Sequence, residues 1–192
     1  MENWIVVAIS GVTCGGKTTL CQKLAAHLPS PVVVLNQDDY FLPEDSSKHV
    51  IIKELNHANW DIVSSVDFDK FLQDIQNILT APPDKIPGIL LLEGNLILNF
   101  SPIDQICNKK FYMVLNKEEC WARRRLRVYQ PPDPPGFFEI CVWPMYEMYK
   151  KEIDESIQNV EYINGSDPVE DIYRNVYNSI AHCVQQYVAS KS

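Results

Sequence analysis

The sequence predicts a doubly wound, mainly parallel α/β sheet of five strands flanked by helices, in one domain over residues 1–192 with a small arginine-rich lid at about residues 120–140. Three observations carry that expectation. Short apolar runs at Trp4–Ser10, Pro31–Leu35, Ile86–Leu92 and Phe111–Leu115 have the continuous Val/Ile/Leu character of strands buried on both faces. Helical periodicity separates them, and strand–helix alternation implies a parallel sheet with helices on its faces. A glycine-rich turn follows the first run directly, and ligands of such sheets lie at the carboxyl ends of the strands.

The first run opens into Gly11-Val12-Thr13-Cys14-Gly15-Gly16-Lys17-Thr18-Thr19, which fits G-x-x-x-x-G-K-[ST]. Lys17 to Leu24 then reads as a helix with Leu20 and Leu24 on its inner side. This strand–loop–helix context is what phosphate binding requires, because backbone N–H groups and a helix N-terminus jointly attract anionic oxygens. Lys17 is expected to reach the β- and γ-phosphates and the Thr18 hydroxyl to ligate Mg²⁺. The loop predicts a P-loop fold that binds ATP or GTP. Cys14 lies at the helix N-terminus, where thiols become more reactive, so its modification is expected to inactivate the protein and ATP to protect it.

The second run ends in Asn36-Gln37-Asp38-Asp39-Tyr40-Phe41. Asp38 falls on the rim of the phosphate loop, where a carboxylate accepts a hydroxyl proton and helps hold the metal; alone, it would read as a turn residue. Val66–Leu79 places Phe68, Phe71, Leu72, Ile75 and Leu79 at helical spacing. The third run ends in Glu93-Gly94, an acid at a strand tip suited to a metal-bound water or a sugar, or else to a helix terminus. Asn116-Lys117-Glu118-Glu119 reads as an N-cap with an acidic third position. The helix it opens is expected to continue through Arg123-Arg124-Arg125-Leu126-Arg127, putting Arg123 and Arg127 on one phosphate-binding face, unless the run is only a solvated basic cluster. Gln130-Pro131-Pro132-Asp133-Pro134-Pro135-Gly136 excludes helix and central strand, and Leu42–Asn59 is polar and irregular; both suit lids. Asn164-Gly165 is a turn. Asp167-Pro168-Val169-Glu170 starts a last helix with Pro168 at its first position, carrying Ile172, Val176, Ile180, Val184 and Tyr187 on one stripe. Tyr40, Phe41, Trp60 and Tyr129 are core aromatics or, together near the strand tips, a platform for a planar base.

At 192 residues, 46% hydrophobic and 22% charged, the chain has the composition of a globular domain. Its net charge of -8 argues against a nucleic-acid-coating role. Six scattered cysteines without zinc spacing suit reduced thiols. No apolar run approaches the ~20 residues that span a bilayer, and Met1-Glu2-Asn3 lacks the basic flank of a signal peptide. A cytoplasmic monomer is expected, with a nuclear pool left open.

Particular strings resemble one family. Ile9-Ser10-Gly11-Val12-Thr13 with Gly16-Lys17-Thr18-Thr19, Gln37-Asp38-Asp39-Tyr40-Phe41, Leu92-Glu93-Gly94, Arg127-Val128-Tyr129-Gln130-Pro131-Pro132-Asp133 and Val142-Trp143-Pro144-Met145-Tyr146 are similar to the nicotinamide riboside kinases, in the uridine-kinase-like branch of P-loop kinases. The resemblance covers nearly the whole chain. It implies ATP-dependent phosphorylation of the ribose 5′-hydroxyl of nicotinamide riboside, giving nicotinamide mononucleotide for NAD synthesis. Thr18 and Asp38 would hold Mg²⁺, with Asp38 also the proton acceptor and Lys17 and Glu93 beside it. Asp38, Asp39, Tyr40, Phe41, Trp60, Asp61, Arg124, Tyr129 and Gln130 would contact the nucleoside. Arg123, Arg127, Val128 and Tyr129 would join the loop residues in contacting ATP. A pyridinium cation suits aromatic faces, so a Trp60/Tyr129 sandwich is expected. Trp60 replaces the family's usual Tyr, and Cys14-Gly15 its usual polar pair. The alternatives are a uridine or other nucleoside kinase, and an idle nucleotide-gated interaction protein.

Overall fold

A computed structural model describes residues 2–191. Strands β1 (Trp4–Gly11), β2 (Val32–Asn36), β5 (Gly88–Glu93), β6 (Lys109–Val114) and β7 (Val160–Asn164) form one parallel sheet in the order β2-β5-β1-β6-β7. The chain leaves β1 through helix α1 (Lys17–His27) toward β2, and leaves β5 toward β6 on the opposite side of β1. Neighbouring loops that depart in opposite directions open a crevice at the strand tips. The site occupies that crevice.

Alternation along the strands builds two cores. Val6, Ala8, Leu90, Leu92 and Tyr112 face helices α2 (Phe68–Thr80), α3 (Ser101–Ile106) and α5 (Trp143–Ser156) through Phe71, Ile75, Ile103 and Ile153. Ile5, Val7, Ile9, Ile89, Leu91, Phe111 and Met113 face α1 and α6 (Val169–Lys191), including the predicted stripe Ile172, Val176, Ile180 and Val184. This is why the central strands are apolar without interruption: each face buries its own set, at roughly 1.5–3 kcal/mol per large side chain. A third cluster sits over the strand tips. There Val12 and Leu115 pack with Cys120, Phe137, Phe138 and Trp143, and the hairpin β3 (Ile51–Ile52) and β4 (His57–Ala58) leans on it through Ile52 and Leu55.

The four predicted strands are present with ends shifted by one or two residues. β2 and β5 begin just after Pro31 and Pro87, which have no N–H to give the ladder. β7 escaped the run-based reading because it is a half-exposed edge, Val-Glu-Tyr-Ile-Asn, with no continuous apolar stretch. The segment Leu42–Asn59 is not wholly irregular, since it holds the short hairpin. α2 starts at Phe68, not Val66, because Val66 is drawn into a β-bridge with Phe41 while the Asp67 side chain accepts from the Lys70 N–H at 3.0 Å. Asn116 caps α4 (Lys117–Arg124) as expected, accepting from Glu119 N–H at 2.8 Å. Pro168 lies just outside α6; its carbonyl accepts from Asp171 and Ile172.

One helical expectation fails. α4 stops at Arg124, and the chain tightens into i→i+3 bonds from Leu126 to Arg123 and from Arg127 to Arg124. Arg127 therefore does not share a helix face with Arg123. The succession Arg-Leu-Arg-Val-Tyr-Gln before four prolines cannot bury an apolar stripe, so nothing sustains further helix. Gln130–Gly136 is free of helix and strand, as its prolines required.

Candidate active site

The β ladders align the tips: Glu93 is the register partner of both Ile9 and Asn36. Three loops therefore meet at one level. At Gly11, φ is +116° and an added Cβ would lie 2.2 Å from the Met113 carbonyl oxygen, so the loop can leave β1 only through glycine. Lys17 is buried with its Nζ donating to the carbonyls of Gly11 (3.1 Å) and Val12 (2.9 Å). The Thr18 hydroxyl donates to the carboxylate of Glu93, itself only 3% exposed. Asp38 stands in the single turn after β2, its N–H held by the Asn36 side chain at 3.0 Å.

Together these groups form a dense electrostatic set. Burial lowers the Lys17 pKa, with Asp38 and Glu93 opposing. Burial raises the Asp38 carboxyl, with Lys17 opposing. Glu93 is also raised by burial, with the Thr18 hydrogen bond and Lys17 opposing. Asp38 is open to the cavity yet crowded by its walls, and a base nearer neutrality is better matched to proton abstraction.

These residues line one end of a cavity of about 360 Å³ whose other end holds Phe41, Trp60, Asp61, Tyr129, Gln130 and Phe137. Arg124 organises the second end. Its guanidinium, 6% exposed, donates from Nε and NH2 to the two oxygens of Asp133 (2.8 and 3.1 Å) and from NH1 to Thr13 Oγ1 (3.1 Å). It also lies 4.3 Å from the centre of the Tyr129 ring. Desolvation opposes its charge, but the Asp133 hydrogen bond and the carboxylate of Asp61 outweigh it and raise its pKa. Asp61 goes the other way: burial pushes its carboxyl up to about 6, with Arg124 opposing.

Not every expected residue reaches this cavity. Thr13, Cys14, Gly16, Lys17 and Thr18 line it, whereas Gly11, Val12, Gly15 and Thr19 do not. Asp38, Phe41, Trp60, Asp61, Glu93, Arg124, Arg127, Tyr129 and Gln130 are brought together. Tyr40 is turned into the core, its ring tilted against Phe71 at 4.7 Å and its hydroxyl donating to Asp74. Asp39, its neighbour in the same turn, is exposed and outside the lining. Arg123 is a strut: it donates to the carbonyls of Cys14 (3.2 Å) and Gly165 (2.9 Å) and to Glu119 (2.6 Å). Val128 is 98% exposed and borders a separate groove on the outer side of the Arg124–Tyr129 wall. Trp60 and Tyr129 both line the cavity, but Trp60 packs edge-on to Phe41 (5.8 Å) and tilted against His49 (4.4 Å).

Sequence reasoning passed over Asn95, Asp133, Pro131 and Phe137 as lining residues. Asp133 was readable as the only acid inside the Pro-rich segment that follows a buried arginine. Asn95 had a fainter signal, a polar residue two positions beyond a strand-tip acid.

A parallel sheet in this order, a G-x-x-x-x-G-K-T loop after its first strand and acids at the tips of β2 and β5 define a P-loop kinase. No family model matches the chain. Among curated proteins it is 35% identical to nicotinamide riboside kinase 1 of Mus musculus over 186 residues, 91% of this chain and 93% of the other. It is 34% identical to nicotinamide riboside kinase 2 of Homo sapiens over 189 residues, 92% and 80% of the two chains. A uridine kinase of Ureaplasma parvum serovar 3 is 25% identical over 171 residues, 76% and 81%. The chain belongs to the nicotinamide riboside kinase family. Solved structures share its fold: a gluconokinase from Sinorhizobium meliloti 1021 (TM-score 0.59, 12% identity, 98% of both chains) and a possible uridine kinase from Bacillus stearothermophilus (TM-score 0.54, 14% identity, 83% and 89%).

Proposed function

We propose that this kinase transfers the γ-phosphoryl group of ATP to the ribose 5′-hydroxyl of nicotinamide riboside, yielding nicotinamide mononucleotide for NAD synthesis. The observation that carries the proposal is one cavity lined at one end by Lys17, Thr18, Glu93 and Asp38 and at the other by Trp60, Asp61, Arg124 and Tyr129. Family membership supports the same substrate.

Phosphoryl transfer asks the protein mainly for alignment and charge compensation. The Thr18 hydroxyl with the carboxylates of Asp38 and Glu93 is a hard-oxygen set suited to Mg²⁺, which takes one or two carboxylates plus phosphate oxygens. No cluster of three or more His, Cys, Asp or Glu among the described residues could cage a metal alone, so Thr18 and Asp38 would hold Mg²⁺ together with the nucleotide. When bound, the ion supplies compensation for charge on the transferred group. Lys17 exchanges loop carbonyls for phosphate oxygens. Asp38 accepts the proton of the sugar hydroxyl. Arg127, exposed at the cavity mouth, adds positive charge from the lid. Asp61 and Arg124 bind ribose hydroxyls, and the Trp60 and Tyr129 faces attract the pyridinium ring. The carboxylates of Asp38, Asp61, Glu93 and Asp133 favour a cationic nucleoside over a neutral pyrimidine one.

The protein acts in this reading as a monomeric single domain on small molecules, with residues 120–140 as a lid. Six free cysteines, and the lack of any helix among the described residues long and apolar enough to cross a membrane, support a cytoplasmic location. Steady-state kinetics with ATP test the substrate. Nicotinamide riboside is expected to exceed uridine in kcat/KM at least tenfold; a pyrimidine nucleoside outperforming it would favour a uridine kinase instead.

A further inference from the structure

Gln37 is fully buried, next to Asp38 in the chain, and its side chain fills the space that a Cβ on Gly94 would need, the nearest atoms being 2.4 Å away. Its Oε1 accepts the N–H of Leu96 at 2.8 Å, and its Nε2 donates to Asn95 Oδ1 at 2.9 Å. The order of these amides is not free. A backbone N–H can only donate, so Leu96 must see the Gln37 oxygen, and the Gln37 nitrogen must then face Asn95. Asn95 is obliged to answer with its oxygen. Its Nδ2 is thereby turned toward the cavity, 3.5 Å from Asp61 Oδ1, while its backbone carbonyl accepts from Ser10 Oγ at 3.3 Å. The tips of β1, β2 and β5 are thus joined by a chain of fixed polarity that ends at a carboxylate of the nucleoside end.

We propose that Gln37 and Asn95 are positioning residues for the sugar: the polarity set at the Leu96 N–H presents an N–H group of Asn95 to Asp61 and holds that carboxylate ready to accept ribose hydroxyls. The inference rests on the nucleoside-kinase reading of the cavity. Because Asp61 stands away from the reacting phosphorus, the relay acts equally on ground and transition states, and its loss shows in nucleoside KM more than in kcat. Asn95→Leu removes both amide groups at similar volume. Gln37→Glu, as the carboxylate, keeps the acceptor for Leu96 but has no hydrogen to donate, so Asn95 turns and shows its oxygen to Asp61.

The experiment measures kcat and KM for nicotinamide riboside and for ATP in the wild type, Asn95→Leu, Gln37→Glu and the double variant, with melting temperatures as a check on folding. About a tenfold rise in nucleoside KM is expected for each single variant, with ATP KM within twofold and kcat within threefold. The double variant should be no worse than Asn95→Leu, because no amide remains to turn. Nucleoside KM unchanged in Asn95→Leu, an equal rise in ATP KM, or effects that multiply in the double variant would overturn the relay. Should Gln37→Glu fail to fold, Asn95→Leu alone decides by its KM-against-kcat split. A wild type that phosphorylates no nucleoside would defeat the kinase reading and the relay together, whereas an active wild type with an indifferent Asn95→Leu defeats the relay only.

Discussion

The phosphate end and the lid end of the cavity are built by different means. At the phosphate end, Lys17, Gln37 and Glu93 are all buried, each hydrogen-bonded to a strand tip or the loop, and β1 and β5 beneath them are the most apolar strands of the sheet. At the lid end, Leu126 is 81% and Val128 98% exposed; Arg123 ties the segment to the carbonyls of Cys14 and Gly165 and Arg124 ties it to Thr13, while the Arg124–Asp133 pair closes the segment on itself. Groups proposed to meet phosphate and metal are therefore held in place by the core before a nucleotide arrives. Between the buried Cys120 and Phe137, residues 125–128 are exposed and make few contacts with the body, which suits the lid role proposed for this segment.

Substitutions at the two ends should separate accordingly. The largest effect is expected for Asp38→Ala, which should lower kcat by about 10²–10⁴, the usual share of a positioned general base, while the melting temperature stays near wild type because the side chain is exposed. Retained turnover would break the assignment of the rigid end. Next comes Arg124→Ala, which strands Asp133 and Asp61 without their cation. It should destabilise by about 3 kcal/mol, the cost of removing one partner of a buried ion pair, read as a melting temperature lower by roughly 6–12 °C. A variant as stable as wild type would mean that the Arg124–Asp133 pair contributes nothing to holding this end together.

Smaller effects sharpen the contrast. Arg127→Ala should reduce kcat/KM for ATP about tenfold, ~1.4 kcal/mol, with nucleoside KM within twofold and unchanged stability; ATP kinetics left intact would remove Arg127 from the site. Asp61→Asn should be slightly stabilising at neutral pH. The Asp61 carboxyl is raised to about 6 in the folded protein, so the native state holds its proton more tightly than the unfolded chain. Its contribution to stability accordingly falls as pH rises from about 4 to about 6 and is a full cost above that window. After discounting for solvent screening, the substitution should gain ~1 kcal/mol, or 2–4 °C, at pH 7.5, and nothing near pH 4. A loss at neutral pH would contradict the burial that raises the group.

The same contrast explains how far the sequence could be read. The rigid end was legible because its signals are local: a β-branched run, the Gly11–Thr18 string and acids at two strand ends each specify their own geometry. β7 was invisible as a run because an edge strand with one solvated face has no need of continuous hydrophobicity. The Arg123–Arg127 face failed because a helix was extended past the point where packing supports it. Tyr40 and Arg123 lie near the site in sequence, but contacts distant in the chain, Asp74 and Gly165, turn them elsewhere. Asn95 and Gln37 matter through a chain of amide orientations that only the assembled strand tips create.

The account stands on a sugar alcohol facing Asp38 at the junction of the two ends. Its most direct test is the product of a reaction of the purified protein with ATP, Mg²⁺ and nicotinamide riboside, examined by mass and by phosphorus–proton coupling. The account predicts a mass gain of one phosphoryl group, with phosphorus coupled to the two C5′ protons. ATP consumed without a phosphorylated nucleoside, or phosphorus placed on the 2′- or 3′-oxygen, would contradict it.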